Sequence, residues 1–197
     1  MLFITLQTFI DSSLIDEIIV VLTEEDSNKF HDEIKSLRSS KPIKVVNGGE
    51  SRQQSVYNGL VQADESSNLI CIHDAVRPFV NETLIKKSLD IINNHDGVIL
   101  ALPSSDTIKK VFQNQILETL PRELIWRAQT PQIFFKSPLL EALEFAKSKN
   151  INGTDEASLL EKIGYQIGFV EGSPLNIKIT TAEDWIFAEA IYNYIKK

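Results

Sequence analysis

Short β-branched apolar runs alternate with longer amphipathic stretches along most of this chain. Ile18-Ile19-Val20-Val21-Leu22 precedes a charged helical pattern from about Asp26 to Arg38. Ile43 to Val46 leads through a Gly48-Gly49 turn into a helical pattern from Ser51 to Asp64. Leu69 to Ile72 precedes a helix over Asn81 to Asn93, and Gly97 to Leu102 is a further strand. Strand followed by helix, repeated, means right-handed crossovers. The pattern predicts an α/β fold: a three-layer, mostly parallel sheet covered on both faces.

The rhythm breaks between Asp106 and Gln132. Ile108 to Phe112 and Gln115 to Thr119 flank Gln113-Asn114, which reads as a hairpin. The hairpin is either an ordinary sheet edge or a projecting arm, at about residues 104–132, that needs a partner to cover its apolar side chains. Helices follow over Ser137 to Ser148 and Thr154 to Ile163, then a strand at about Gln166 to Val170 and a short extended segment at Ile177 to Ile179. Thr180-Thr181-Ala182-Glu183 has a capping-box pattern and opens the last helix. Leu2, Leu6, Phe9 and Ile10 make one helical face, so the chain opens in a helix. With no linker, repeat or low-complexity segment, residues 1–197 read as one domain with an arm.

Composition narrows the function. The net charge of −7, from 27 acidic and 20 basic residues, argues against a nucleic-acid partner. It still allows small phosphorylated ligands, because two or three local cations suffice for those. No apolar run is long enough to span a bilayer, and no signal-peptide pattern is visible. The lone Cys71 lies in the apolar run Leu69-Ile70-Cys71-Ile72 and reads as a core residue of a cytoplasmic protein.

Ligands of such sheets bind beyond the carboxyl ends of the strands. After Ile43 to Val46 comes Asn47-Gly48-Gly49-Glu50-Ser51-Arg52-Gln53-Gln54-Ser55. The glycines permit close backbone approach, and the following helix start can hold an anion or a carbonyl oxygen. The same residues also suit a plain tight turn and cap. After Leu69 to Ile72 comes His73-Asp74-Ala75-Val76-Arg77-Pro78. Asp74 can meet Mg²⁺ held on substrate phosphates, and Arg77 can clamp a phosphate. An Asp–Arg ion pair across a turn is the simpler alternative. His73 reads as a packed strand-end residue, and three scattered histidines give no zinc pattern. Pro103-Ser104-Ser105-Asp106-Thr107-Ile108-Lys109 either binds phosphate or starts the arm. Asn176-Ile177-Lys178-Ile179-Thr180 puts a cation in an apolar segment, which is costly unless the Lys is paired, snorkelling or ligand-bound. No P-loop, G-x-S-x-G elbow, H-E-x-x-H or Rossmann fingerprint is present.

Taken in order, these segments resemble one family, the 2-C-methyl-D-erythritol 4-phosphate cytidylyltransferases. Gly48-Gly49-Glu50-Ser51-Arg52-Gln53-Gln54-Ser55-Val56-Tyr57-Asn58-Gly59-Leu60 resembles its G-G-x-x-R-x-x-S-V-x-x-G-L motif. His73-Asp74-Ala75-Val76-Arg77-Pro78 resembles its H-D-x-x-R-P motif. Asp106-Thr107-Ile108-Lys109, Trp126-Arg127-Ala128-Gln129-Thr130-Pro131-Gln132, Thr154-Asp155-Glu156-Ala157-Ser158 and Asn176-Ile177-Lys178-Ile179-Thr180 follow in family order.

The resemblance implies a glycosyltransferase-A-like nucleotidyltransferase fold and a homodimer built through swapped β-arms. It implies transfer of CMP from CTP to methylerythritol phosphate with Mg²⁺, releasing pyrophosphate, in non-mevalonate isoprenoid precursor synthesis. Gly49, Glu50 and Ser55 are then expected at the cytosine and ribose, with Arg52 supporting that loop. Asp74 and Ala75 are expected near the ribose and the metal-bound phosphates. Arg77, Thr107 and Arg122 are expected at the acceptor, the last two reaching from the partner's arm. Lys178 is expected to hold the attacking phosphate. No acid–base residue is needed, because a phosphate monoester is already an anionic nucleophile; cations must neutralise the repulsion between substrates.

The family's opening strand, its L-A-A-G-x-G-x-R loop and its P-K-Q segment have no counterpart in this sequence. Unpaired sheet edges, low stability and little or no activity are therefore expected of these 197 residues. A ribitol-5-phosphate cytidylyltransferase shares H-D-x-x-R-P and N-I-K-x-T and is the rival enzyme. A non-catalytic remnant of the family is the rival of another class.

Overall fold

The computed structural model describes residues 1–196. Helix α1 (Leu2–Asp11) opens the chain and buries Leu6 and Ile10 on the face its apolar spacing defines. Strand β1 (Ile18–Leu22) and helix α2 (Glu24–Ser36) follow. Thr23 caps α2 by accepting from the Asp26 amide, and three acidic residues sit in the first turn, where the helix dipole favours them. Strand β2 (Ile43–Asn47) pairs with β1 in parallel. Helix α3 (Arg52–Leu60), strand β3 (Leu69–Ile72), helix α4 (Glu82–Ile91) and strand β4 (Gly97–Pro103) continue the expected alternation.

Strands β5 (Ile108–Phe112) and β6 (Gln115–Leu120) form the hairpin, with Gln113 and Asn114 at φ 45° and 63°. Both values suit the primed turn that matches strand twist. Strand β7 (Trp126–Phe135), helix α5 (Lys136–Ser148), helix α6 (Glu156–Lys162), strand β8 (Ile167–Glu171) and helix α7 (Ala182–Ile195) complete the chain. The last cap sits one residue later than its sequence pattern. Thr181 accepts from the Asp184 amide, and the Asp184 carboxylate takes the Thr180 and Thr181 amides.

The α/β architecture is as expected, with one difference in the sheet. Strands β3, β7, β4 and β8 lie side by side in that order. The β4–β8 pair is parallel, whereas β7 runs antiparallel to both β3 and β4. Residues 126–132, which the sequence places at the end of the arm, are thus the first part of a central strand. The hairpin proper spans 108–120 and, among the described residues, pairs with no other strand. A shift in register between Ile99 and Leu100 accommodates Pro131, which cannot donate to a ladder.

The second feature is a break. Among the described residues strand β1 pairs only with β2, and β3 only with β7, so one edge of each has no strand partner. Between them runs a cavity of about 960 Å³, lined among others by Leu6, Val20, Leu60, Ile70 and Ile72. Two cores result. Leu6, Ile10, Ile18, Val20 and Ile34 pack on one side of the break. Phe134, Leu139, Leu143 and Leu160 centre the other. Among the described residues, no helix is long and apolar enough to cross a membrane.

At the carboxyl end of β3, a chain of hydrogen bonds ties β3 to β7. The Asp74 amide donates to Thr130 Oγ1 (3.1 Å), which lies 3.1 Å from His73 Nδ1. His73 Nε2 lies 3.0 Å from the Arg77 carbonyl oxygen and must donate there. Nδ1 is then the acceptor for the Thr130 hydroxyl, and every partner is satisfied with a neutral ring. The Phe9 ring packs 5.0 Å from the imidazole. His73 is therefore the packed strand-end residue that its isolation in the sequence indicates. Cys71, on the same strand, is a core thiol that burial pushes up to about 12.

Two measurements check this frame. Strands β4 and β7 are bonded on both sides and β1 and β3 on one, so amides of β1 and β3 should exchange about tenfold faster or more. Hydrogen-exchange mass spectrometry reads this directly. Burial lowers His73 from 6.5 to about 4, against the opposing pull of its bond to Arg77. The unfolded chain then takes up a proton as pH falls through 6.5, while the folded chain does not until about 4. Stability present above that window is lost across it, by about 3 kcal/mol. Urea unfolding of the wild type and of His73→Gln between pH 7 and 4 should show a steeper acid loss in the wild type.

Candidate active site

The site forms where the ends of β2 and β3 meet the 176–180 segment. The turn after β2 is held from three sides. The Gly48 amide donates to the Leu22 carbonyl at the end of β1 (2.7 Å). The Gly49 amide donates to Ser55 Oγ (3.0 Å), and the Ser55 hydroxyl donates to the Ser51 carbonyl (2.9 Å). Ser51 caps α3 through the Gln54 amide. A Cβ at Gly48 would stand 2.9 Å from Ser55 Oγ, so this closure needs glycine there. The segment is the tight turn with a capped helix that its sequence suits, and Gly49 and Glu50 are exposed at its rim.

Asp74 follows β3 and collects three cations. Lys178 Nζ lies 3.0 Å from Oδ2, Arg77 Nε 3.6 Å from Oδ2, and Arg52 Nε 3.6 Å from Oδ1. Burial alone would raise this carboxyl. The hydrogen bond and charge of Lys178, then the charges of Arg52 and Arg77, outweigh burial and hold it below the usual carboxylate range. Ala75 is exposed beside it, and its carbonyl accepts from the Thr5 hydroxyl (2.8 Å).

The 176–180 segment is pinned before and after Lys178. Asn176 is fully buried and donates through Nδ2 to the Thr130 carbonyl (2.8 Å). Its own carbonyl accepts from Arg77 (2.8 Å) and from Gln129 (3.2 Å). The Ile179 amide donates to the Val76 carbonyl (2.9 Å), and the Ile179 side chain is buried. The Lys178 side chain between these anchors is 43% exposed. It is a paired cation with an open side, able to exchange its carboxylate for a phosphate oxygen.

Arg52, Asp74, Arg77 and Lys178, four residues singled out in the sequence, thus meet in one cluster. The loop residues Gly49, Glu50 and Ser55 border it. Thr107 and Arg122 do not join it within one chain. Both are exposed at the base of the hairpin, where Arg122 donates to the Ser105 carbonyl (3.3 Å). The structure adds Glu156, which accepts from Arg52 Nη1 at 2.6 Å. It also adds Thr130, Gln129 and Asn176, which place Asp74 and Lys178. All four lie in the motif segments, but nothing local separates them from ordinary cap or strand residues.

Asp74 is one carboxylate, and among the described residues no group of three or more His, Cys, Asp or Glu side chains could hold a metal. Mg²⁺ takes one or two carboxylates and fills its other positions with phosphate oxygens and water. The residues therefore fit Mg²⁺ arriving with a polyphosphate and do not fit an ion held by protein alone. A cluster with more cations than carboxylates, next to a Gly-rich turn, has the charge to accept phosphorylated ligands.

Comparison with known proteins agrees with this chemistry. A protein of Clostridioides difficile (strain 630), 2-C-methyl-D-erythritol 4-phosphate cytidylyltransferase, is 40% identical over 193 residues, 98% of this chain and 81% of the relative. The crystal structure of 4-diphosphocytidyl-2C-methyl-D-erythritol synthase from Anaerococcus prevotii DSM 20548 superposes with a TM-score of 0.89 at 34% identity, covering 100% of this chain and 86% of that one. The Francisella tularensis cytidylyltransferase structure gives 0.84 at 38% identity, covering 96% of this chain and 87% of that one. With residues 1–194 also matching the family model IspD, 2-C-methyl-D-erythritol 4-phosphate cytidylyltransferase, this chain belongs to that family of nucleotidyltransferases.

Proposed function

We propose that this chain transfers CMP from CTP to 2-C-methyl-D-erythritol 4-phosphate and releases pyrophosphate. The observation that carries the reading is the convergence of Lys178, Arg77 and Arg52 on Asp74 beside the Gly48-Gly49 turn. A phosphate oxygen of the acceptor attacks the α-phosphorus of CTP. The bond from that phosphorus to the bridging oxygen breaks, and its electron pair leaves with pyrophosphate. No proton need move. The protein's task is to hold two polyanions in line and neutralise them.

Lys178 supplies the movable cation. When the phosphates arrive, its Nζ passes from Asp74 to the attacking phosphate, a short shift for a half-exposed ammonium. Arg77, anchored on the Asn176 carbonyl, stays nearby as a fixed positive charge. Asp74, relieved of Lys178, would be the carboxylate that meets Mg²⁺ arriving with CTP, and the ion would supply charge neutralisation. The Ser55 hydroxyl is engaged with Gly49 and Ser51, so Ser55 shapes the base-reading loop and the backbone of Gly49 and Glu50 contacts the cytosine. Ala75 borders the ribose.

Thr107 and Arg122 reach the acceptor phosphate from the arm of a second copy. The arm's exposed Val111, Phe112, Ile116 and Leu117 support this reading. A two-stranded ribbon with apolar side chains on its surface is not stable alone in water and calls for a partner. The lone Cys71 is a free thiol, which suits a reducing cytoplasm.

The direct test supplies CTP and Mg²⁺ with either methylerythritol phosphate or ribitol 5-phosphate, and follows pyrophosphate release and the cytidylylated product by mass spectrometry. Turnover is expected to be weak, because β1 and β3 lack a strand between them, and to favour methylerythritol phosphate at least about tenfold. Preference for ribitol 5-phosphate, or no binding of CTP with Mg²⁺ in calorimetry, would overturn the reading. For the arm, Phe112→Asp with Leu117→Asp should convert the dimer to monomer in analytical ultracentrifugation. A monomeric wild type at micromolar concentration would refute that part.

A further inference from the structure

Glu156 is a buried ionisable group beside the site. It occupies the first turn of α6, yet its side chain is only 1% exposed. Its Oε1 accepts from Arg52 Nη1 at 2.6 Å, whereas its Oε2 is buried without a hydrogen-bond partner. Burial pushes its carboxyl up against the pull of Arg52. A buried carboxylate with one oxygen unsatisfied gains little stability over a well-packed apolar residue. What this one does gain is geometric.

Arg52 is the first residue of α3, directly after the glycine turn. Its guanidinium spans two carboxylates, Glu156 on one side and Asp74 Oδ1 on the other. Glu156 itself cannot drift. Its neighbour Asp155 caps α6 through the Ser158 amide and accepts from Gln132 Nε2 on β7 at 2.8 Å. Gln53, next to Arg52, is also tied to the approach to α6, through the Ile151 carbonyl and the Gly153 amide. The helix start that carries the loop is thus fastened at adjacent residues to α6 and to the segment before it, and the start of α6 is in turn fastened to β7.

We propose that Glu156 is a positioning residue. It fixes the Arg52 guanidinium and, through it, the Gly48–Ser51 turn and the Oδ1 side of Asp74. It also keeps Arg52 occupied when phosphates arrive. Arg52 has two carboxylates to leave and Lys178 has one, so Lys178 moves to the ligand and Arg52 stays. This deepens the function proposed above and rests on it for the kinetic readout alone.

Glu156→Gln keeps an oxygen that can accept from Arg52, and Glu156→Met keeps the volume without the acceptor. The Met variant should raise the KM for CTP about tenfold or more while leaving the KM for the acceptor nearly unchanged. The Gln variant should stay within about threefold of wild type. Without any ligand, the amide signals of Gly48 and Gly49 in ¹H–¹⁵N spectra should shift in the Met variant and hold in the Gln variant. A Met variant whose glycine amides do not move, or whose thermal stability alone changes, overturns the proposal. So does a Gln variant as impaired as the Met one. Failure of the unmodified chain to turn over counts against the proposed reaction only, because the ligand-free glycine signals test the positioning role by themselves.

Discussion

The Asp74 carboxylate is the point on which the site depends. It sits at the end of β3, 15% exposed, and holds side chains from three separate parts of the chain. Each cation alone would repel the others at this spacing. One buried anion lets them share a small volume, and its carboxyl stays ionised because their charges outweigh the cost of enclosing it. The backbone does the rest. The Asp74 amide is held by Thr130, and the Asn176 side chain by the carbonyl of the same Thr130. One residue of β7 therefore sets the distance between Asp74 and the segment that carries Lys178.

That role explains a polar stretch inside a central strand. Gln129, Thr130 and Gln132 are all buried, in a strand whose neighbours are apolar. Each finds a partner outside the sheet: Gln129 in the Ser173 and Asn176 carbonyls, Thr130 in Asp74 and His73, Gln132 in Asp155. Buried polar groups are tolerable when so paired. Here they convert the middle of the sheet into a mount for the loops at its end.

The same pairing is why the sequence reads well in some places and poorly in others. Strands β1 to β4 and helices α2 to α6 are legible because apolar periodicity and caps are local signals. Strand β7 is not, since Thr130-Pro131-Gln132 has the composition of a turn and its partners lie far away in sequence. Arg52, Asp74, Arg77 and Lys178 stand out because a charge next to a strand end is unusual on its face. Their convergence is not visible, because Lys178 and Asp74 come together only when the 176–180 segment docks. Glu156 is harder still. It reads as a good first-turn acid of a short helix, and only its burial against Arg52, 104 residues away, sets it apart.

Flexibility and fixity are divided within the cluster by anchoring rather than by charge. Arg77 is bound to a backbone carbonyl and Arg52 to a buried carboxylate, whereas Lys178 is bound only to Asp74. A guanidinium with two partners must break both to reorient; an ammonium on a flexible stem breaks one. In the proposed reaction, an incoming phosphate would therefore draw on Lys178 first. The two arginines keep the cavity's shape while its charge is rearranged. The acidic balance of the whole chain does not oppose this. With a screening length of roughly 8 Å at physiological salt, distant surface carboxylates contribute little to the potential at the site. What the ligand meets is the local excess of cations around one carboxylate, held in register by a strand whose polar residues look outward from the sheet to the loops they carry.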